Sequence, residues 1–521
     1  MNDSLTVNAS LRRAAMKYPR KRAVVVEDQA CTFAELHQRS DRFAGSLLRL
    51  GLRRGDKVAF LMSNRIEFAE IYFGVLKSGG VLVVLNARLK GQELSQLMQQ
   101  SEAGWLIFAD GFLEEVNRIR SQIPQVKNLI MVGEPVPQGF VSYQHLVFDS
   151  DSEHPRAEVG DDDEACILYT SGTTGVPKGV VITQKNIFVQ AINHIVEWDV
   201  RFDDVDLFPG PLFHAGGLAM LPRAVVAGNT LVLMHSFDPE RFMEILAREK
   251  ATRTLLVPTM CAFILDLPSR DVNQAHSLRL IVVGGSILPI EMKKQMMERF
   301  PGVGIYDTYG QTEATGSIAC LKPVDALRKP GSIGKAFFLN EIRLVDEKDN
   351  EVLPGEIGEI VGRGPNVMKG YYKDPHATAE VLKGGWLHTG DLARQDEDGY
   401  LYLVGRKKDM IVSGGINIYP REIEEALCAH PKILEAAVIG VADPVWGETV
   451  KAIVVLKSGE EMLEQEVIDF CREHLAGYKK PRSVDFARDL PKNSLGKILK
   501  SELRQKYGPI FQTEMGTRQN G

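Results

Sequence analysis

Apolar and polar positions alternate along this chain with two periods. Thr32 and Glu35 have capping-box spacing, and Phe33, Leu36, Phe43, Leu47 and Leu48 recur near the helical period before Gly51, which predicts a helix. A strand is predicted at Lys57 to Met62. A further helix runs from Ile66 to Lys77, stops at Gly79-Gly80, and hands over to the β-branched run Val81 to Leu85. Strand, helix and strand in succession make the unit of a parallel sheet. The unit recurs where Leu231 to Met234 precedes a helix opening at Asp238-Pro239 and then Thr254 to Val257. It recurs again where Leu278 to Val283 precedes a helix ending near Phe300.

Beyond Pro323 the pattern changes to short strands such as Glu359 to Val361 and Tyr400 to Val404, punctuated by Asp349-Asn350, Pro354-Gly355 and Asp398-Gly399. After Gly405 the charged run Arg406-Lys407-Lys408-Asp409 opens a new αβ series through Glu422 to Cys428, Ala436 to Ile439 and Ala452 to Leu456. The expected fold is α/β: a large N-terminal domain, residues 1–405, with βα-layered sheets and a β-rich subdomain at about 323–405, and a small α+β C-terminal domain, residues 406–521.

Composition agrees with a folded chain. The 521 residues are 44% hydrophobic and 25% charged, and the formal charge of −6 leaves no global basic field to hold a nucleic acid. Small-molecule partners are expected instead. Cys31, Cys166, Cys261, Cys320, Cys428 and Cys471 form no Cys-x-x-Cys pair, as expected of reduced, buried thiols. Met1 to Ser10 lacks the pattern of a signal peptide and no apolar run approaches a membrane span, so no transmembrane segment and a cytoplasmic location are expected.

The sharpest local signal is Tyr169-Thr170-Ser171-Gly172-Thr173-Thr174-Gly175-Val176-Pro177-Lys178-Gly179, which follows the strand-like Ala165 to Leu168. Glycines let backbone approach phosphate oxygens, hydroxyls add donors, and lysine supplies a point charge. A phosphate loop is the first reading and a surface turn the second. The spacing departs from Gly-x-x-x-x-Gly-Lys-Ser/Thr.

This segment resembles the signature loop of the adenylate-forming superfamily, which includes acyl-CoA synthetases, nonribosomal adenylation domains and firefly-type luciferases. Further matches follow in the family's order: Phe213-His214-Ala215-Gly216-Gly217, Tyr309-Gly310-Gln311-Thr312-Glu313, and Trp386-Leu387-His388-Thr389-Gly390-Asp391. Then come Gly405 to Asp409, Ser413-Gly414-Gly415-Ile416-Asn417-Ile418-Tyr419-Pro420, and Pro491 to Lys497. The likeness spans roughly residues 10 to 507.

The resemblance implies a reaction and a set of roles. A carboxylic acid, ATP and CoA would give acyl-CoA, AMP and pyrophosphate through an acyl-adenylate. Thr170, Ser171, Gly172, Thr173, Thr174, Gly175 and Lys178 would hold the ATP phosphates, and Thr174 and Glu313 would bind or orient Mg²⁺. Gly284-Gly285-Ser286, Asp307-Thr308-Tyr309 and Gly310 would line the adenine, Thr312 would meet the α-phosphate, Asp391 would accept the ribose hydroxyls, and Arg406 would contact the nucleotide sugar or phosphate. Lys497 matches the family's mobile catalytic lysine, Lys408 its hinge, and Ser413-Gly414-Gly415 the loop that admits the pantetheine arm of CoA. His214, with Gly217, Gly310, Ala314 and Thr315, would border the acyl pocket, and His214 in place of aspartate argues against an amino-acid substrate.

A medium- or long-chain fatty acid is the expected substrate. Aryl or alicyclic acids, transfer to a carrier protein, and a non-catalytic nucleotide-binding regulator are the alternatives, and a homodimer is left open.

Overall fold

The computed structural model describes residues 5–149, 157–170, 177–268, 276–492 and 498–508. It divides into two compact units, residues 1–343 with 361–389, and residues 344–360 with 390–521. The fold is the expected mixed α/β architecture with a large N-terminal and a smaller C-terminal part. The division by compactness falls elsewhere than Gly405-Arg406: residues 361–389 belong with the first unit, and the second resumes at Gly390. The small sheet of Glu341–Val345, Ile357–Arg363, Leu382–Lys383, Trp386–Gln395 and Leu401–Arg406 is where the chain passes between them.

Among the described residues the first unit holds two large sheets. In the eight-stranded sheet Lys57–Leu61 lies between Val81–Val84 and Trp105–Ala109, all parallel, and Val81–Val84 continues to Glu164–Thr170, Lys178–Thr183 and Gly370–Tyr371. In the nine-stranded sheet Leu280–Val283 lies parallel between Arg253–Leu256 and Gly304–Tyr309. The helix Phe33–Arg49 opens on the capping box read from the sequence: Glu35 N donates to Thr32 Oγ1 at 3.2 Å and Thr32 N to Glu35 Oε2 at 2.8 Å. The helix Ile66–Lys77 is buried on every side from Phe68 to Leu76 because it packs against both sheets, on Val81–Val84 of one and Arg22–Val26 of the other. An amphipathic stripe would not suffice there.

The second unit has its own core. Gly447–Leu456 pairs antiparallel with Ile433–Asp443 and parallel with Ser483–Phe486, and Ile423, Leu427 and Val467 pack their helices on that sheet.

Candidate active site

In the first unit the segment read as a phosphate loop lies between two strands that pair antiparallel. Thr170 stands opposite Lys178 in register, and the Thr170 hydroxyl donates to the Lys178 carbonyl at 3.5 Å. Ser171, Gly172, Thr173, Thr174 and Gly175 lie outside the described residues. A strand-to-helix turn, the setting of the Walker loop, is thus replaced by a strand-to-strand turn.

Beside this hairpin runs Gly370–Tyr371, antiparallel to Lys178–Thr183 with Tyr371 paired to Val180. The Lys178 ammonium stands 5.0 Å from the centre of the Tyr371 ring, and the Tyr371 hydroxyl donates to Glu313 Oε1 at 2.8 Å. Burial and the adjacent Glu313 carboxylate push the Tyr371 phenol well above its ordinary range, so it stays a donor. Glu313 itself lies in a short 3₁₀ turn, Thr312–Ala314, just past Tyr309-Gly310. Three bonds fasten that turn: Met368 N donates to the Glu313 carbonyl at 2.8 Å, Thr315 Oγ1 to the Asn366 carbonyl at 2.6 Å, and Asn366 Nδ2 to the Ala314 carbonyl at 3.0 Å.

The glycines divide by what surrounds them. A methyl group on Gly310 would stand 2.3 Å from the Gly316 carbonyl oxygen, and one on Gly217 would stand 2.3 Å from that of Pro211. Backbone packing demands both, so their smallness does not open a pocket. Around Gly216, by contrast, nothing lies within 4 Å, so its missing side chain leaves real space. Gly285 takes φ +82° after the strand Leu280–Val283 and Ser286 next to it is exposed, while Gly284 lies against the Thr308 methyl.

Asp307, one strand over, forms an ion pair with Lys293, whose side chain is only 2% exposed. Burial raises the Asp307 carboxyl while Lys293 draws it back down, and the net shift is upward. Thr308 turns to the other face and donates to the Ala319 carbonyl at 3.3 Å.

His214 caps the short helix Ala215–Leu218 with its carbonyl, which accepts from Leu218 N at 2.7 Å, and its ring packs 4.7 Å from Phe213. Burial, helped by the Arg88 charge, lowers its imidazole to about 4. It is uncharged at neutral pH.

In the second unit Asp391 and Arg406 face each other across a two-strand ladder, Arg406 Nε 2.9 Å from Asp391 Oδ1. Glu359 accepts from Gly390 N at 3.1 Å and from Lys407 Nζ at 3.2 Å, bracing both motifs. Lys408 is exposed, and partial desolvation lowers its ammonium. Ser413 pairs with Ile416, leaving Gly414 (φ +58°) and Gly415 (φ +80°) as the two-residue turn between them, a conformation that suits glycine at both places. Trp446 covers Gly414: a methyl group there would meet the indole at 2.5 Å, and the Arg482 guanidinium stands 5.1 Å from the Trp446 ring. Lys497 lies outside the described residues, and Lys492 and Ile498 on either side of it form an antiparallel bridge.

Tyr371, Lys293, Asn366 and Trp446 were not foreseen.

Comparison with known proteins agrees with this geometry. The family model described as AMP-binding enzyme matches residues 11–372, and that of the AMP-binding enzyme C-terminal domain matches residues 422–497. The chain is 40% identical over 500 residues to a feruloyl-CoA synthase of Amycolatopsis sp, covering 96% of this chain and 98% of that one. It is 38% identical over 489 residues to an indoleacetate–CoA ligase of Aromatoleum aromaticum, covering 94% and 95%. Among solved structures, the O-succinylbenzoate coenzyme A synthetase of Bacillus subtilis in complex with ATP and magnesium ion superimposes with a TM-score of 0.84 at 33% identity, covering 95% of this chain and 99% of that one.

Fold and relatives together define an adenylate-forming acid–CoA ligase. The chain belongs to the AMP-binding enzyme family.

Proposed function

We propose that this ligase activates an aromatic carboxylic acid and transfers it to CoA in the cytoplasm. The observation that carries the substrate class is the 40% identity, over nearly the whole of both chains, to a feruloyl-CoA synthase, with the indoleacetate–CoA ligase close behind. This reading replaces the expected fatty acid. Gly217 and Gly310 answer to backbone packing, so their smallness gives an acyl chain no extra room.

In the first half-reaction a carboxylate oxygen attacks the α-phosphorus of ATP and pyrophosphate leaves. Thr170, Lys178 and the loop 171–175 hold the phosphates, Thr312 contacts the α-phosphate, and Lys497 follows the charge that builds between the two reactants. Gly284 to Ser286 and Asp307 to Gly310 border the adenine, and Asp391 with Arg406 receives the ribose. The Mg²⁺ of the reaction would sit against Glu313 and Thr174 and supply charge neutralisation on the phosphate oxygens. The donor chemistry fits that ion: Mg²⁺ is commonly held by one or two carboxylates plus phosphate oxygens, and the Tyr371 hydroxyl engages Oε1 of Glu313 alone. In the second half-reaction the small domain turns about Lys408, the Ser413-Gly414-Gly415 turn admits the pantetheine arm, and the CoA sulfur attacks the carbonyl as AMP leaves. Uncharged His214 gives the acyl group an apolar neighbour and offers no cation to a second carboxylate.

The test is thioester formation from ATP, Mg²⁺ and CoA with hydroxycinnamic, arylacetic, benzoic, alicyclic and fatty acids. The reading expects kcat/KM highest for one of the aromatic acids. A fatty acid preferred over every aromatic acid would overturn the substrate class. AMP-ester accumulation without response to CoA would overturn the acceptor in favour of a carrier protein.

A further inference from the structure

We propose that Tyr371 is a positioning residue that keeps the phosphate-loop lysine and the metal-side glutamate apart and separately available. The inference rests on the adenylation reading of the site. Lys178 and Glu313 carry opposite charges beside the same tyrosine, and a cation and a carboxylate so placed would be expected to collapse into an ion pair. Neither does: among the described residues Lys178 and Glu313 form no ion pair with each other or with any other side chain, while both side chains meet Tyr371.

Tyr371 explains the separation by offering each charge a different part of one rigid ring. The π face takes the ammonium at 5.0 Å and the hydroxyl takes one oxygen of the carboxylate at 2.8 Å. Neither contact joins charge to charge and only one oxygen of Glu313 is engaged, so a polyphosphate can draw Lys178 away and a divalent cation can use the second oxygen of Glu313. The ring is fixed from behind. Tyr371 N accepts no freedom of its own, since it donates to Thr378 Oγ1 at 2.9 Å, and the flanking Lys369 N and Tyr372 N donate to the Val181 and Gly179 carbonyls at 2.9 and 2.7 Å.

The experiment is calorimetric binding of Mg·ATP to the full chain, with Tyr371→Phe made alone and together with Glu313→Gln. Losing one hydrogen bond to a charged group weakens Mg·ATP binding about tenfold in the single variant and less than twofold when Glu313 is already neutral. Thioester formation from supplied acyl-AMP stays within twofold of the parent. Tyr371→His, which restores a donor, recovers part of the affinity. Equal weakening in both backgrounds would mean that Tyr371 acts without Glu313 and would overturn the inference, as would equal loss in both half-reactions or no weakening at all. A parent enzyme that neither binds Mg·ATP nor exchanges pyrophosphate in the presence of any acid would overturn the adenylation reading, and the inference with it.

Discussion

Replacing His214 by glutamine should make the protein less sensitive to mild acid. Burial and the Arg88 charge hold the folded imidazole at about 4, against an ordinary 6.5. The folded pKa is depressed, so the stability linked to this group is fully present above pH 6.5 and drains away as pH falls towards 4, where the unfolded chain binds a proton that the folded chain refuses. Summing that difference gives a loss of roughly 2 kcal/mol between pH 7 and pH 5 for the parent, and none from this position in His214→Gln. Urea unfolding at the two pH values reads it, followed by the fluorescence of Trp105 and Trp198, which are buried in the first unit. His194, also buried and lowered, contributes to both proteins and cancels in the comparison. If parent and variant lose the same stability to within about 0.5 kcal/mol, the assignment of an uncharged, desolvated His214 is wrong.

Two glycines should respond in opposite ways. Gly310→Ala drives a methyl group to 2.3 Å from the Gly316 carbonyl and should cost about 3 kcal/mol or prevent folding, read by denaturant midpoint. Gly216→Ala meets nothing within 4 Å and should leave the midpoint unchanged while altering KM among aromatic acids of different bulk. Lys497→Ala should slow acid-dependent pyrophosphate exchange by about a hundredfold and spare thioester formation from acyl-AMP, and equal loss in both would contradict domain alternation.

Local signals carried much of the fold. The Thr32 and Glu35 capping box, the largely apolar helix at Ile66 to Lys77 and the strand at Val81 were legible because each is decided within a dozen residues. Pairings between distant segments were not. Gly370–Tyr371 lies in a stretch that reads as a β-rich subdomain, yet it joins the sheet of Lys178–Thr183, almost 190 residues earlier. For the same reason the motifs pointed to Lys178 and Glu313 but not to the tyrosine between them. The lack of a side chain at Gly217 and Gly216 looks alike in a sequence, and only the backbone of Pro211 distinguishes them.

Of the six cysteines, five are buried and Cys428 alone is exposed, on the helix Pro420–Cys428 of the second unit. Partial desolvation raises its thiol, so a maleimide dye would attach best in mildly alkaline buffer. The native chain thus carries one convenient handle, on the part whose turning the proposed mechanism calls for. A fluorophore there could report that turning in real time without a single engineered substitution.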